Sequence, residues 1–238
     1  MRLVVFDIDG TLTLGQGLGT ECFFAAFEEA FGVGRADRRL ETYAESTDCG
    51  IARQAFERAL GRAPAAEELE GFKEAYLSRL AREIARHGRA YQPVPGADVV
   101  LPLLAARRGW KVAIATGNWR RAARLKLDCA GLVPPQVAAC SEDGPSRGGV
   151  LAAAVRSAAE AAGAPAFECV VYVGDQPWDL RAAREVGAGF VGIGSDARRR
   201  RLEQDGASVV DSYLDVERFL ALLDAAASPL SAGSPART

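Results

Sequence analysis

A chain of 238 residues that is 49% apolar and 25% charged can bury a sizeable core, and that composition excludes a disordered polymer. The formal net charge is −2, and the basic residues are nearly all arginine, with lysines only at Lys73, Lys111 and Lys126. That balance gives no footprint for nucleic acid, and no run of about 18 apolar residues exists to span a membrane.

The first residues, MRLVVFDIDG, carry no secretory leader pattern. Leu3 to Phe6 reads as a buried strand that ends in a polar loop at Asp7 and Gly10. Thr13 to Gly19 is rich in glycine and without period. Phe23, Phe24, Phe27 and Phe31 then recur at helical spacing, on a helix that Thr20 is placed to cap. Helical patterns continue through Ile51 to Leu60 and Leu69 to Ile84, with a break at Gly61 to Pro64 and an exit over His87 to Pro95.

After Pro95-Gly96 strands and helices alternate. Asp98 is expected to cap a helix that Gly109 ends, and Lys111 to Ala115 is a strand. A helix over Trp119 to Cys129 closes at Gly131, and Gln136 to Cys140 is a weak strand. A helix over Gly148 to Ala162 leads to a strand of nearly pure β-formers, Cys169 to Val173. Pro177 to Val186 is a helix with proline in its first turn. Gly189 to Ile193 and Ser208 to Val210 are strands, and Asp215 caps a last helix. The Ser-, Pro- and Ala-rich tail after Ala227 is expected to be disordered. Cysteines at 22, 49, 129, 140 and 169 lack CxxC spacing, so reduced thiols in a cytoplasmic protein are the expectation.

Apolar strands in this rhythm predict an α/β fold: a Rossmann-like parallel sheet with helices on both faces, interrupted by an inserted all-helical segment. In such a sheet the carboxyl ends of the strands share one edge, where ligands bind. Three strands end in polar groups: Asp7-Ile8-Asp9-Gly10-Thr11, Thr116-Gly117-Asn118, and Gly174-Asp175 followed by Asp179. Asp7, Asp9, Asp175 and Asp179 gathered in one crevice would repel one another unless a cation joined them, and oxygen ligands suit Mg2+. Gly10, Gly117 and Gly174 free the backbone to approach an anion, Thr116 offers a hydroxyl, and Arg147 could bring a fixed positive charge. Each feature alone has a plainer reading. Asp-Gly is a common turn pair, Thr116 and Asn118 could cap the following helix, Arg147 could be a surface charge, and Arg198 to Arg201 reads as a solvated helix start. The set, with each group at a strand end, favours chemistry.

These segments resemble the motifs of the haloacid dehalogenase-like hydrolase superfamily, in its phosphoglycolate-phosphatase-like branch. Asp7-Ile8-Asp9-Gly10-Thr11-Leu12-Thr13 is similar to the first motif, Ala113 to Asn118 to the second, and Val171 to Asp175 with Asp179 to the fourth. The third motif departs: where relatives usually carry a lysine, the run Ser141 to Arg147 ends in arginine, and Arg147 takes that role, although Arg and Lys are not interchangeable. The resemblance implies a catalytic core over residues 1–14 and 93–226, a helical cap over 15–92 and a tail over 227–238. It implies a magnesium-dependent phosphomonoester hydrolase acting on a small phosphorylated metabolite such as phosphoglycolate. Asp7 would be the nucleophile and Asp9 the acid–base. Thr116 and Arg147 would steady the phosphoryl group, with Gly10, Gly117 and Asn118 as further phosphate contacts. Asp7, Asp9, Asp175 and Asp179 would hold the metal, Asp9 through its main-chain carbonyl. Thr47 and Asp48, between cap helices, resemble a substrate-recognition loop, though the pair could simply cap the helix that follows. A phosphosugar mutase and an inactive interaction protein on the same fold are the alternatives, and the choice between monomer and homodimer is open.

Overall fold

The computed structural model describes residues 1–227, so the expected tail beyond Ala227 lies outside the described residues. In chain order the elements are β1 (Arg2–Phe6), β2 (Thr13–Leu14), α1 (Leu18–Phe31), α2 (Asp48–Leu60), α3 (Ala66–His87) and β3 (Gln92–Pro93). They continue with α4 (Ala97–Ala106), β4 (Trp110–Ala115), α5 (Arg120–Cys129), β5 (Val137–Ala139), α6 (Arg147–Ala161) and β6 (Cys169–Gly174). The last are α7 (Pro177–Glu185), β7 (Gly189–Ile193), α8 (Asp196–Gln204), β8 (Ser208–Val210) and α9 (Val216–Ala226).

Six strands form one sheet in the order β5-β4-β1-β6-β7-β8, with every pairing parallel. Side chains alternate across the sheet, as strand geometry requires. Leu3 and Val5 pack with Val150, Leu151 and Ala154 of α6 and Ala182 and Ala183 of α7. Val4 and Phe6 face the other way, where Val100 and Leu104 of α4 and Phe219 and Leu223 of α9 cover them. Both faces are therefore covered, which is why the strands read as continuous apolar runs. β1 is central, flanked by β4 and β6, and the chain order reverses there. The loops after these three strands meet at that switch point.

The helices α1, α2 and α3 leave and rejoin this core through β2 and β3, which pair antiparallel as a two-residue ribbon (Thr13 opposite Pro93, Leu14 opposite Gln92). A ribbon this short has no periodicity, and sequence reading passes over it. An aromatic cluster fills the block: Phe27 meets Phe56 at 5.3 Å and Phe72 at 5.6 Å between centroids. The same cluster reaches the core, since Trp119 stacks on Phe23 at 5.6 Å and touches Phe72 and Tyr76, each at 5.8 Å.

Two expected caps are corrected. α1 begins at Leu18 after Gly17 (φ 81°), not at Thr20, because the glycine turn supplies the left-handed entry that no side-chain cap is needed to set. α4 follows Gly96 (φ 86°), and Asp98 falls inside its first turn, where its charge suits the helix dipole. A Cβ at Gly96 would stand 2.7 Å from the Tyr213 backbone, so that turn also needs the missing side chain. α5 and α6 start at Arg120 and Arg147, one residue from the expected positions.

Candidate active site

The loop after β1 is wound around one carbonyl. Ile8 O accepts from the amides of Thr11, Leu12 and Thr13 at 3.2, 2.8 and 2.9 Å. Gly10 takes φ 79°, and its amide donates to Thr13 O at 2.7 Å. A Cβ on Gly10 would stand 2.2 Å from Asp175 Oδ2, so the glycine contributes room for a carboxylate rather than a free donor. This winding fixes Asp7 at the strand end, 3% exposed, with its amide bonded to Val173 O at 3.0 Å.

Asp7, Asp175 and Asp179 converge, each offering one carboxylate oxygen within 4.8 Å of the others. Asp179 is fully buried, and its Oδ2 accepts from the amides of Asp175 and Gln176 at 3.2 and 3.1 Å. A Cβ on Gly174 would fall 2.5 Å from Asp179 Cβ, so this fold-back requires glycine. Arg147, the first residue of α6, lies buried between acids. Its Nη2 is 2.6 Å from Asp7 Oδ1 and 2.8 Å from Asp179 Oδ1, and its Nε donates to Asp179 at 2.9 Å. Burial works against that charge, but Asp179 and Asp7 more than offset it, so the guanidinium stays firmly protonated.

Burial pushes the Asp7 carboxyl up to about 7; Arg147 pulls it down, and Asp179 and Asp9 push it further up. Burial and then Asp179 raise Asp175 well above the usual carboxylate range. Oδ1 of Asp175 is buried without a hydrogen-bond partner, and Asp7 Oδ1 has only the Arg147 guanidinium beside it. Buried acceptors left in this state are costly, and a divalent cation held by hard oxygen ligands would satisfy them. The donor set therefore fits Mg2+.

The second strand end is more occupied than its sequence suggests. Thr116 is fully buried, and its Oγ1 accepts from the Asn118 amide at 3.3 Å and Asn118 Nδ2 at 2.9 Å. Asn118 Nδ2 also donates to Asp9 Oδ2 at 2.8 Å, so this side chain is spent on Thr116 and Asp9. A Cβ on Gly117 would stand 2.4 Å from both Arg147 Nη1 and Ser46 O, so the glycine admits the arginine and the helical block together.

Thr47 is fully buried, and its hydroxyl accepts from the Gly50 amide at 3.1 Å, capping α2. Asp48 lies in the cleft wall, where its amide donates to Gly117 O at 2.7 Å and its Oδ2 accepts from the Trp119 amide at 2.7 Å. Asp48 is half-buried by surface exposure yet densely surrounded, and burial pushes its carboxyl up to about 7. Cys49 adds a third tie, its amide donating to Ser141 Oγ at 2.9 Å.

Three residues outside the sequence-derived set line the same cleft of about 320 Å3. Lys126, on α5, is buried with Nζ 2.5 Å from Asp9 Oδ2 and bonded to Asn118 Oδ1. Tyr91 walls the cleft, and Arg198 Nη1 sits 3.1 Å from Asp175 Oδ2. Lys126 left a signal, because it shares a buried helix face with Ala122, Ala123 and Leu127, an odd place for a lysine without a partner. Arg198 left none: α8 is largely exposed, as the arginine run suggests, yet Arg198, itself exposed, reaches the buried Asp175.

A family model for haloacid dehalogenase-like hydrolases matches residues 1–187. No curated protein sequence matches the chain significantly. Among solved structures, the chain resembles a hydrolase from Pseudomonas syringae at 24% identity and TM-score 0.70, covering 93% of this chain and 98% of that one. It resembles CbbY from Rhodobacter sphaeroides, solved in complex with xylulose-(1,5)bisphosphate, at 24% identity and TM-score 0.66 over 89% and 94% of the two chains. A predicted phosphoglycolate phosphatase from Haemophilus somnus aligns at 16% identity and TM-score 0.63 over 92% and 97%. Identities this low speak for the fold.

Proposed function

We propose that this chain, which belongs to the haloacid dehalogenase-like hydrolases, is a magnesium-dependent phosphatase of small phosphorylated metabolites that works through an aspartyl-phosphate on Asp7. The observation that carries the reading is the convergence of three buried aspartates, two of them paired with Arg147 and the third, Asp175, with one buried carboxylate oxygen left unpartnered. Mg2+ would be held by Asp7, the main-chain carbonyl of Asp9, Asp175 and Asp179, and when bound it would offset charge on the phosphoryl oxygens.

Asp7 attacks phosphorus in line. A bond forms from its carboxylate oxygen, and the bond to the ester oxygen breaks. Asp9 gives a proton to the departing oxygen and then takes one from the water that attacks the intermediate and frees Asp7. Asp9 Oδ2 accepts from both Lys126 and Asn118, so Oδ1 is the atom that carries the proton. Arg147 and the Thr116 hydroxyl meet the oxygens of the transferring group. The helices α1, α2 and α3 act as a cap over residues 15–92, excluding bulk water while the intermediate stands.

The purified protein is expected to release phosphate from p-nitrophenyl phosphate with Mg2+ and to stop when EDTA is added. Failure to release phosphate under any metal or pH condition would overturn the reading. The similarity to a predicted phosphoglycolate phosphatase and to a protein crystallised with a sugar bisphosphate suggests the panel for a substrate search. A mutase would be unmasked in that panel by phosphate moving between sugar positions faster than it is released.

The acid cluster also predicts a pH-dependent response to metal. Between the ordinary carboxylate value of 3.8 and about 7, Asp7 and Asp48 keep protons in the folded chain that the unfolded chain has lost. The folded state then binds more protons, so metal-free stability falls as pH rises through this window. Magnesium favours ionised Asp7 and opposes that loss. The rise in Tm on adding Mg2+ should therefore be larger at about pH 8 than at about pH 5. An equal or smaller rise at the higher pH would contradict the metal assignment.

A further inference from the structure

The cleft continues past Asp9 into a second polar corner that the phosphoryl chemistry does not use. Lys126 has three ammonium hydrogens, and two are engaged by Asp9 Oδ2 and Asn118 Oδ1. Beside it, Tyr91 is 2% exposed, and its hydroxyl is buried with no hydrogen-bond partner. An orphaned buried hydroxyl in a cleft wall is costly unless a ligand meets it.

Two glycines build this corner. A Cβ on Gly15 would stand 2.1 Å from Tyr91 Cε1, so the ring lies flat against backbone that only glycine leaves open. A Cβ on Gly19 would stand 3.0 Å from Lys126 Nζ and 3.0 Å from Tyr91 Oη, so both donors come close to the α1 backbone where only glycine leaves them room, and all three line the cleft. Lys126 lies a single hydrogen bond beyond Asp9, the residue facing the departing ester oxygen.

We propose that Lys126 and Tyr91, side by side in the cleft wall at Gly19, form a specificity subsite for an oxygen atom on the carbon next to the one that bears the phosphate. The inference rests on the phosphatase reading and names the substrate class within it: short phosphomonoesters with a vicinal oxygen, carried as a hydroxyl or a carboxylate. An ester oxygen beside Asp9 puts such a neighbouring oxygen within reach of the spare Lys126 hydrogen and the Tyr91 hydroxyl. Arg147 and the three aspartates bind the phosphoryl end, so this corner governs which leaving group is accepted.

The test compares kcat/KM with Mg2+ for ethyl phosphate, 2-hydroxyethyl phosphate, phosphoglycolate and p-nitrophenyl phosphate. Wild-type protein should prefer at least one oxygenated ester over ethyl phosphate by about tenfold or more, the value of a hydrogen bond or two in a buried site. The better of the two tells whether a hydroxyl or a carboxylate is read. Tyr91→Phe removes one oxygen atom, and Gly19→Ala pushes a methyl group against both donors. Gly19 lies within α1 and is not among the glycines with positive φ, so the backbone accepts alanine there and the strain falls on Lys126 and Tyr91 alone, which a thermal melt measures. Both variants should bring the preference down to about threefold or less. Lys126→Met should slow every ester, because Asp9 loses its partner, and should erase the preference as well.

Phosphate release from p-nitrophenyl phosphate without preference among the alkyl esters would overturn the subsite and leave the phosphatase reading standing. So would a preference untouched by both Tyr91→Phe and Gly19→Ala. Release from none of the four esters would overturn both.

Discussion

Replacing Asp7 with asparagine should lower kcat/KM by about four orders of magnitude or more, the usual consequence of removing a nucleophile. Asparagine keeps the shape of the side chain and loses the negative charge that attacks phosphorus. The fold should survive, because Arg147 retains Asp179 through two contacts and the loop is wound on Ile8 O rather than on the carboxylate. Stability should hold or improve, since burial already disfavours the Asp7 charge. Phosphate release from p-nitrophenyl phosphate and a thermal melt check both halves. Activity within about tenfold of wild type would remove Asp7 from the role of nucleophile.

The second large effect is expected on stability. Arg147→Ala withdraws a buried cation from between Asp7 and Asp179 and leaves both acids without their countercharge. Breaking a buried pair from one side costs about 3 to 5 kcal/mol. Magnesium should recover part of this, because it serves the same carboxylates. Urea denaturation with and without Mg2+ measures both quantities. A loss below about 1 kcal/mol would mean that the guanidinium does not neutralise the cluster.

How far the sequence anticipates this site depends on what each residue does locally. Leu3 to Phe6 and Cys169 to Val173 are legible as strands because both of their faces are buried, so every position is apolar. The acids at their ends are legible because glycines surround them, and Gly10 and Gly174 turn out to make room for Asp175 and Asp179. Arg147 is legible from its place at a helix start even though the residue type departs from the related motif.

What escapes is set by tertiary packing. Tyr91 sits in an exit segment without period, and its hydroxyl matters only through what Lys126 and Gly19 bring beside it from two other elements. Asn118 has the composition of a phosphate donor, yet Asp9 and Thr116 take its amide hydrogens. α1 starts at Leu18, ahead of Thr20, because a left-handed Gly17 turn outcompetes the hydroxyl cap that Thr20 offers. Helix-cap preferences are worth about 1 kcal/mol, and a glycine in a left-handed turn removes a comparable strain.

At the paired crossing of Thr13–Pro93 and Leu14–Gln92 the chain enters and leaves the three-helix block side by side. A rotation about two adjacent strands moves distant points most and nearby points least. Asp9, bridged directly to Thr13, would lie beside the pivot of such a rotation, while Asp48 and Cys49, which bond to the core, would have to leave their partners. Parting the block from the core at that rim would break the ties of Asp48 and Cys49 to Gly117, Trp119 and Ser141, together with the contacts of Trp119 to Phe23, Phe72 and Tyr76, while leaving the acids at the strand ends in place.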